Sequence, residues 1–280
     1  RACGLSGATP HSDMGLDLDG IHQNVMYGGG AALGAAVVLQ VLSLVRGSLT
    51  VNTMGALVGA AISFVLGYLA LSKGNNLFVW HPILMTAGSV FACTAAIDTV
   101  KRRKSMAKAS KRSWMVQLHW FLMDAALIAM GLGVLAIYAN KNKPLAKHFT
   151  TAHSWLGLAG LALFVLNLMG GATTTLGPVF LCGKMKLLWT DVLHRTSGAA
   201  AYTCMMGAVL LGLYNRVVLL PDGWGGKFEL PADWASPGKT WSYANLGGEV
   251  IVKSFMAAVL VVYLLAIFPS SNKISKPKVS

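Results

Sequence analysis

Apolar runs about as long as a membrane crossing, broken by short polar or basic stretches, recur along this chain. Seven stand out: Met26–Val45, Met54–Ser72, Leu77–Val100, Trp114–Ala139, Thr151–Gly171, Asp191–Asn215 and Glu249–Phe268. A helix needs roughly 20 apolar residues to cross the hydrocarbon core, so each run predicts one transmembrane helix. No run alternates apolar and polar positions residue by residue, which argues against a membrane β-barrel. The first two runs carry glycines at four-residue spacing, Gly30/Gly34 and Gly55/Gly59. Small residues in that pattern let helix backbones approach closely, so the first helix is expected to pack on another helix, of its own chain or of a neighbour.

The polar stretches complete the layout. Residues 1–25 read as an extramembrane segment with Asp13, Asp17 and Asp19, and its His11 and His22 read as solvated loop histidines. The connection 216–248 is long beside the roughly 2–8 residues usual between bundled helices. Its Trp224, Trp234, Trp241 and Tyr243 suit the membrane interface, or a docking surface for another membrane subunit.

Composition agrees. The chain is 55% apolar and 12% charged, which excludes an ordinary soluble domain. Its net charge of +13 implies no nucleic acid, because the basic residues flank the apolar runs, where they set orientation. Lys101, Arg102, Arg103, Lys104, Lys108, Lys111 and Arg112 fill the third connection without an acid among them. That loop is expected on the cytoplasmic-type face (the n-side), together with the connection between the fifth and sixth runs (Lys184, Lys186) and the tail 270–280. The N-terminus and the 216–248 connection fall on the opposite p-side. Lys141, Lys143 and Lys147 run against this rule. The four cysteines form no disulfide framework, zinc spacing or haem attachment motif. A chain beginning at Arg1 reads as processed or trimmed, compatible with an organellar membrane.

The candidate chemistry lies in four histidines. His81, His119, His153 and His194 each stand in the first turns of one of four consecutive spans. Consecutive spans run in opposite directions, so His81 pairs by level with His153, and His119 with His194. Each pair then comes from non-adjacent spans, with a flat cofactor between its members. Imidazole is a common axial ligand of haem iron, and a bis-histidine iron has no open position, which suits electron transfer. Gly88, Gly157, Gly160 and Gly198 lie on the histidines' own helix faces, making room for a porphyrin or serving helix packing. Pro82, directly after His81, is expected in the first turn of its helix. Packing or proton-path histidines are the alternative. A haem-free transporter would show inverted repeats or a broken-helix ion site, and neither is visible.

At WHPILM (His81, Pro82), LHWFLM (His119), HSWLG (His153–Gly157) and LHRTSG (His194), the sequence resembles the cytochrome b561 family. The resemblance covers about residues 51–269. It implies an all-α membrane protein: a six-helix core over 51–269, here with an additional N-terminal helix over 26–50. It further implies two b-type haems (haem b), with His81 and His153 as p-side ligands and His119 and His194 as n-side ligands. Its implied activity is transmembrane electron transfer, an ascorbate-dependent oxidoreductase reaction whose p-side acceptor is monodehydroascorbate or ferric iron. Many relatives carry lysines just before the n-side ligand, where this chain has Trp114–Leu118. An anionic reductant is therefore expected at Lys104, Lys108, Lys111 and Arg112. Lys147 and His148 are candidates for the p-side propionates or the acceptor, and Arg195 for an n-side propionate. The alternative is an accessory subunit of a larger membrane complex, contacting its neighbours through 26–50 and 216–248.

Overall fold

The computed structural model describes residues 17–46, 51–71, 74–104, 106–141, 148–180, 191–218 and 248–268, and every regular element among them is helical. We number the helices α1 (Leu18–Arg46), α2 (Val51–Leu71), α3 (Leu77–Arg103), α4 (Ala109–Asn140), α5 (Ala152–Phe180), α6 (Asp191–Val218) and α7 (Gly248–Ile267). The first six are long and apolar enough to cross a membrane, and α7 carries a shorter apolar stretch, Val252–Ile267. The all-α membrane bundle expected from the apolar runs is what the chain forms.

Several ends extend past the apolar runs, and local chemistry says why. The first helix starts at Leu18 rather than Met26 because the Asp17 carboxylate accepts the Gly20 N–H at 2.9 Å, an N-terminal cap. His22 is therefore a helix residue, not a loop residue. Helix α3 is capped by Asn76, whose side chain accepts from the Val79 N–H at 3.1 Å. The chain reaches that cap through Gly74 at φ 116°, a conformation costly for any other residue. Pro82 consequently sits beyond the first turn of α3, not within it.

Helix α3 is the centre of the bundle, with 83% of its span buried. It contacts α1, α2 and α4 along its length. Its middle, Ala87–Cys93, is a fully buried π turn, which inserts a residue out of helical phase and re-aims the second half of the helix. Helix α5 lies along α6 and barely touches α4. In lipid, close packing rather than water exclusion holds helices together, and the glycines mark where. A Cβ on Gly59 would collide with the Val90 carbonyl, and one on Gly29 would stand 2.6 Å from Leu84 Cδ2. Gly30 and Gly34 behave differently from their sequence pattern: a Cβ on either would meet nothing within 4 Å. The packed face of α1 runs instead through Val25, Gly29, Ala32, Ala36 and Ser43, which register it on α3 and α4.

The end of α1, the start of α2 and the end of α3 meet in a buried polar knot. Arg102 Nε lies 2.9 Å from Asp98 Oδ2, and both side chains are almost wholly buried. Thr53 of α2 donates to the same carboxylate at 3.1 Å. Arg102 also donates to the Ser43 carbonyl of α1 at 3.1 Å and to the Ser43 hydroxyl. Lys101 in turn donates to the last carbonyls of α7, Ala266 and Phe268. Removing one partner of a buried ion pair strands the other charge. Asp98→Ala should therefore lower unfolding stability in detergent by about 3 kcal/mol, against about 1 kcal/mol for Ser63→Ala, which loses only hydroxyl bonds to carbonyls. Equal losses in thermal unfolding would contradict the knot's role.

Candidate functional site

His81, His153 and His194 stand in the first turns of their helices, whereas His119 lies ten residues into α4, because that helix starts at Ala109 rather than Trp114. A reciprocal pair of bonds, Ser154 N–H to Thr151 Oγ1 at 3.3 Å and Thr151 N–H to Ser154 Oγ at 3.2 Å, caps α5 and fixes the turn bearing His153. The turn before α4 is braced by Arg112, which donates to the Met106 and Ala107 carbonyls at 3.0 and 2.8 Å. His81 and His153 face each other with ring centroids 6.1 Å apart and planes at 88°. His119 and His194 do the same at 6.4 Å and 78°.

Three rings are locked by the backbone of a neighbouring helix. His81 Nδ1 lies 2.9 Å from the Gly133 carbonyl of α4, and His119 Nδ1 lies 3.0 Å from the Ala96 carbonyl of α3. His153 Nδ1 lies 2.7 Å from the Ala208 carbonyl of α6. Adjacent helices thus hold each other's histidines: α3 and α4 do so reciprocally, at levels about 20 Å apart along each helix. A carbonyl only accepts, so each Nδ1 carries the proton and each Nε2 keeps its lone pair. His81 and His153 each hold Nδ1 on a helix carbonyl, with their ring centroids 6.1 Å apart.

That arrangement suits an electrophile between the rings. Two metal–imidazole bonds of about 2.0 Å, plus about 1 Å from each nitrogen to its ring centre, put centroids about 6 Å apart. Both pairs have that spacing. A ligand histidine whose other nitrogen donates to a carbonyl is the usual way such a ring is oriented. The donor set therefore fits a metal held from two sides, as in a bis-histidine haem.

Of the two roles expected for these glycines, helix packing is visible at Gly88 and Gly160. A Cβ on Gly88 would stand 2.6 Å from Met130 Cγ, so that glycine admits α4; one on Gly160 would crowd Met205. Gly198 faces the Asn167 amide, with a Cβ 2.8 Å from Nδ2, while Gly157 meets only Ala208 Cβ at 3.7 Å. The glycines that crowd the histidine rings are Gly212, where a Cβ would lie 3.0 Å from His153 Cε1, and Gly171, where it would lie 3.2 Å from His194 Cε1. Both stand on the partner helix of the α5/α6 pair. Counting turns from each histidine along its own helix does not reach them.

At the His81/His153 end, Phe149 turns the chain into α5 with φ 53°, a strained conformation for a bulky residue. His148 stacks on Tyr138 at 4.8 Å, and Phe149 sits 5.9 Å from Trp155. Lys147 lies outside the described residues. At the n-side rim the basic loop divides in two. Arg102 is buried, Lys101 caps α7 and Arg112 braces the turn, whereas Lys104, Lys108 and Lys111 are exposed. Arg195, beside His194, is also exposed.

Comparison with known proteins bears on this site. The family described as eukaryotic cytochrome b561 matches residues 80–219, which include all four histidines. The mouse transmembrane reductase CYB561D2 is 29% identical over 159 residues, covering 55% of this chain and 69% of that protein. The human lysosomal membrane ascorbate-dependent ferrireductase CYB561A3 is 26% identical over 226 residues, covering 76% of this chain and 85% of its own. The mouse plasma membrane ascorbate-dependent reductase CYBRD1 is 30% identical over 146 residues, covering 52% of this chain and 49% of its own.

The glycine assignment is open to test by histidine NMR. In protein with nitrogen-15-labelled histidine, Gly212→Ala should displace the His153 ring and speed exchange of its Nδ1 proton by about tenfold, the loss of one hydrogen bond. Gly157→Ala, whose new methyl has room, should leave that proton protected. Equal behaviour of the two variants would refute the assignment.

Proposed function

This chain belongs to the eukaryotic cytochrome b561 family, and from that premise we propose that it carries electrons across a membrane through two b-type haems. One is held by His81 and His153, the other by His119 and His194. The observation that carries this reading is the bis-axial spacing of the two rings in the first pair, each with its Nδ1 on a backbone carbonyl, repeated in spacing by the second. When bound there, a bis-histidine haem supplies a one-electron iron couple with no open position for substrate.

The chain's own residues do the rest. The Gly133, Ala96 and Ala208 carbonyls hold ring orientation, so that little reorganisation accompanies a change of charge. Buried apolar side chains between the two levels, among them Phe91, Leu122, Met130 and Met206, exclude water and protons. Lys104, Lys108 and Lys111 give the n-side rim a positive field that draws in an anionic reductant. Two relatives are named as ascorbate-dependent, and ascorbate is the donor we assign here. The electron leaves at the p-side rim, beside His148 and Trp155. The alternative is an accessory subunit joined to a larger complex through 26–50: α3 and α4 of this chain cover one face of α1, and Gly30 and Gly34 lie on another that meets nothing within 4 Å.

The test is a reduced-minus-oxidised spectrum with haem quantified per chain, followed by transport in vesicles with ascorbate on the n-side. The expected result is two haems per chain and reduction of a p-side acceptor. His153→Leu should leave one haem, still reducible by ascorbate, and abolish transfer to the p-side. An unchanged spectrum in that variant would overturn the ligand assignment.

A further inference from the structure

The middle of the bundle holds a polar contact that packing alone does not call for. Tyr202 of α6 and Thr94 of α3 are each 2% exposed. Tyr202 belongs to the core that includes Phe91, Met205 and Met206, where a phenylalanine would fill the same space. Thr94 Oγ1 donates to the Val90 carbonyl of the π turn at 2.6 Å, so its oxygen accepts the Tyr202 hydroxyl proton at 2.7 Å. On α7, Tyr263 stacks on the Tyr202 ring at 5.9 Å with planes at 23°, and its hydroxyl lies 3.1 Å from Thr203 Oγ1. Ring plane and hydroxyl direction are therefore both fixed. Replacing a buried hydrogen-bonded pair by apolar groups of the same shape is nearly neutral for stability, so this bond calls for another use.

Its position supplies one. Thr94 lies two residues from Ala96, whose carbonyl holds His119, and Tyr202 lies six residues from Ala208, whose carbonyl holds His153. A bonded route thus runs from His119 through Ala96 to Thr94, crosses to Tyr202, and follows α6 to Ala208 and His153. It uses eight residues of backbone, against fifteen from His81 to Ala96 along α3 and fourteen from His194 to Ala208 along α6. Electronic coupling fades less steeply along covalent and hydrogen bonds than across van der Waals gaps. An aromatic ring also carries it better than a saturated chain, and the short route contains one.

We propose that the Tyr202–Thr94 hydrogen bond is the electronic bridge between the two histidine levels. The inference rests on the electron-transfer reading above and adds to it the residues through which the charge crosses the middle of the membrane. The centre at the His119/His194 level loses one electron and the centre at the His81/His153 level gains it. The Tyr202 proton stays on its oxygen and the ring is neither oxidised nor reduced, so charge and atoms balance. Tyr202 and Thr94 are positioning residues: they touch neither donor nor acceptor.

The test uses the full haem-loaded chain in lipid nanodiscs with a ruthenium photoreductant attached at the n-side rim. Flash absorbance gives the rate between the levels, redox titration the two potentials, and thermal unfolding the stability. Tyr202→Phe, Thr94→Val and the double substitution each cut the route, and all three should slow transfer by the same several-fold factor at unchanged potentials. Their stabilities should differ: Thr94→Val strands a buried phenol hydroxyl and is the least stable, and the double variant regains most of that loss. Rates equal to the parent's overturn the bridge. Rates that rank with stability, or that follow shifted potentials, overturn it too, leaving the bond as a tie between helices. A chain without haem would sink the electron-transfer reading and the bridge together, whereas an unchanged rate between two haems would sink the bridge alone.

Discussion

A histidine inside lipid has no water to satisfy its N–H, and in a helical bundle the nearest acceptor is a backbone carbonyl on the next helix. That requirement organises this molecule. Once Gly133, Ala96 and Ala208 take the Nδ1 protons of His81, His119 and His153, the other nitrogen of each ring is left with a lone pair. Ring pairs at the spacing of two axial ligands suit an electrophile held between them. The helices must therefore lie close enough to reach each other's rings, yet leave α4 and α5 apart.

The rest of the bundle serves that spacing. The π turn in α3 lets one helix carry His81 at one level and offer the Ala96 carbonyl at the other. Tyr202, buried at mid-height on α6, shares a 2.7 Å hydrogen bond with Thr94 just after that turn, tying the α5/α6 pair to the central helix. At the n-side the Asp98–Arg102 pair gathers α1, α2 and α3. A basic loop that looks uniform in sequence thus has buried, bracing and exposed members, and only the exposed lysines are available to a soluble donor.

Much of this was legible beforehand. Apolar runs near the bilayer thickness announced the spans, and strict alternation of direction announced which histidine faces which. Helix ends were not legible, because a cap such as Asp17 or Asn76 acts through one or two bonds that hydropathy does not register. The glycines were legible only in part, for a related reason. Spacing says which residues share a face, but not whether that face meets a neighbour: Gly30 and Gly34 look outward, while Gly171 and Gly212 crowd rings belonging to another helix. Arg102 was read as one more surface charge because nothing local distinguishes it from Arg103. His22, read as solvated, became a donor only through Asn75, more than fifty positions away.

The most direct test of the account is low-temperature electron paramagnetic resonance of the fully oxidised protein. Two irons each clamped by a pair of nearly perpendicular imidazoles should give two low-spin ferric signals, both of the strongly anisotropic form that crossed ligand planes produce. A single signal, or high-spin ferric iron with an open coordination position, would contradict it.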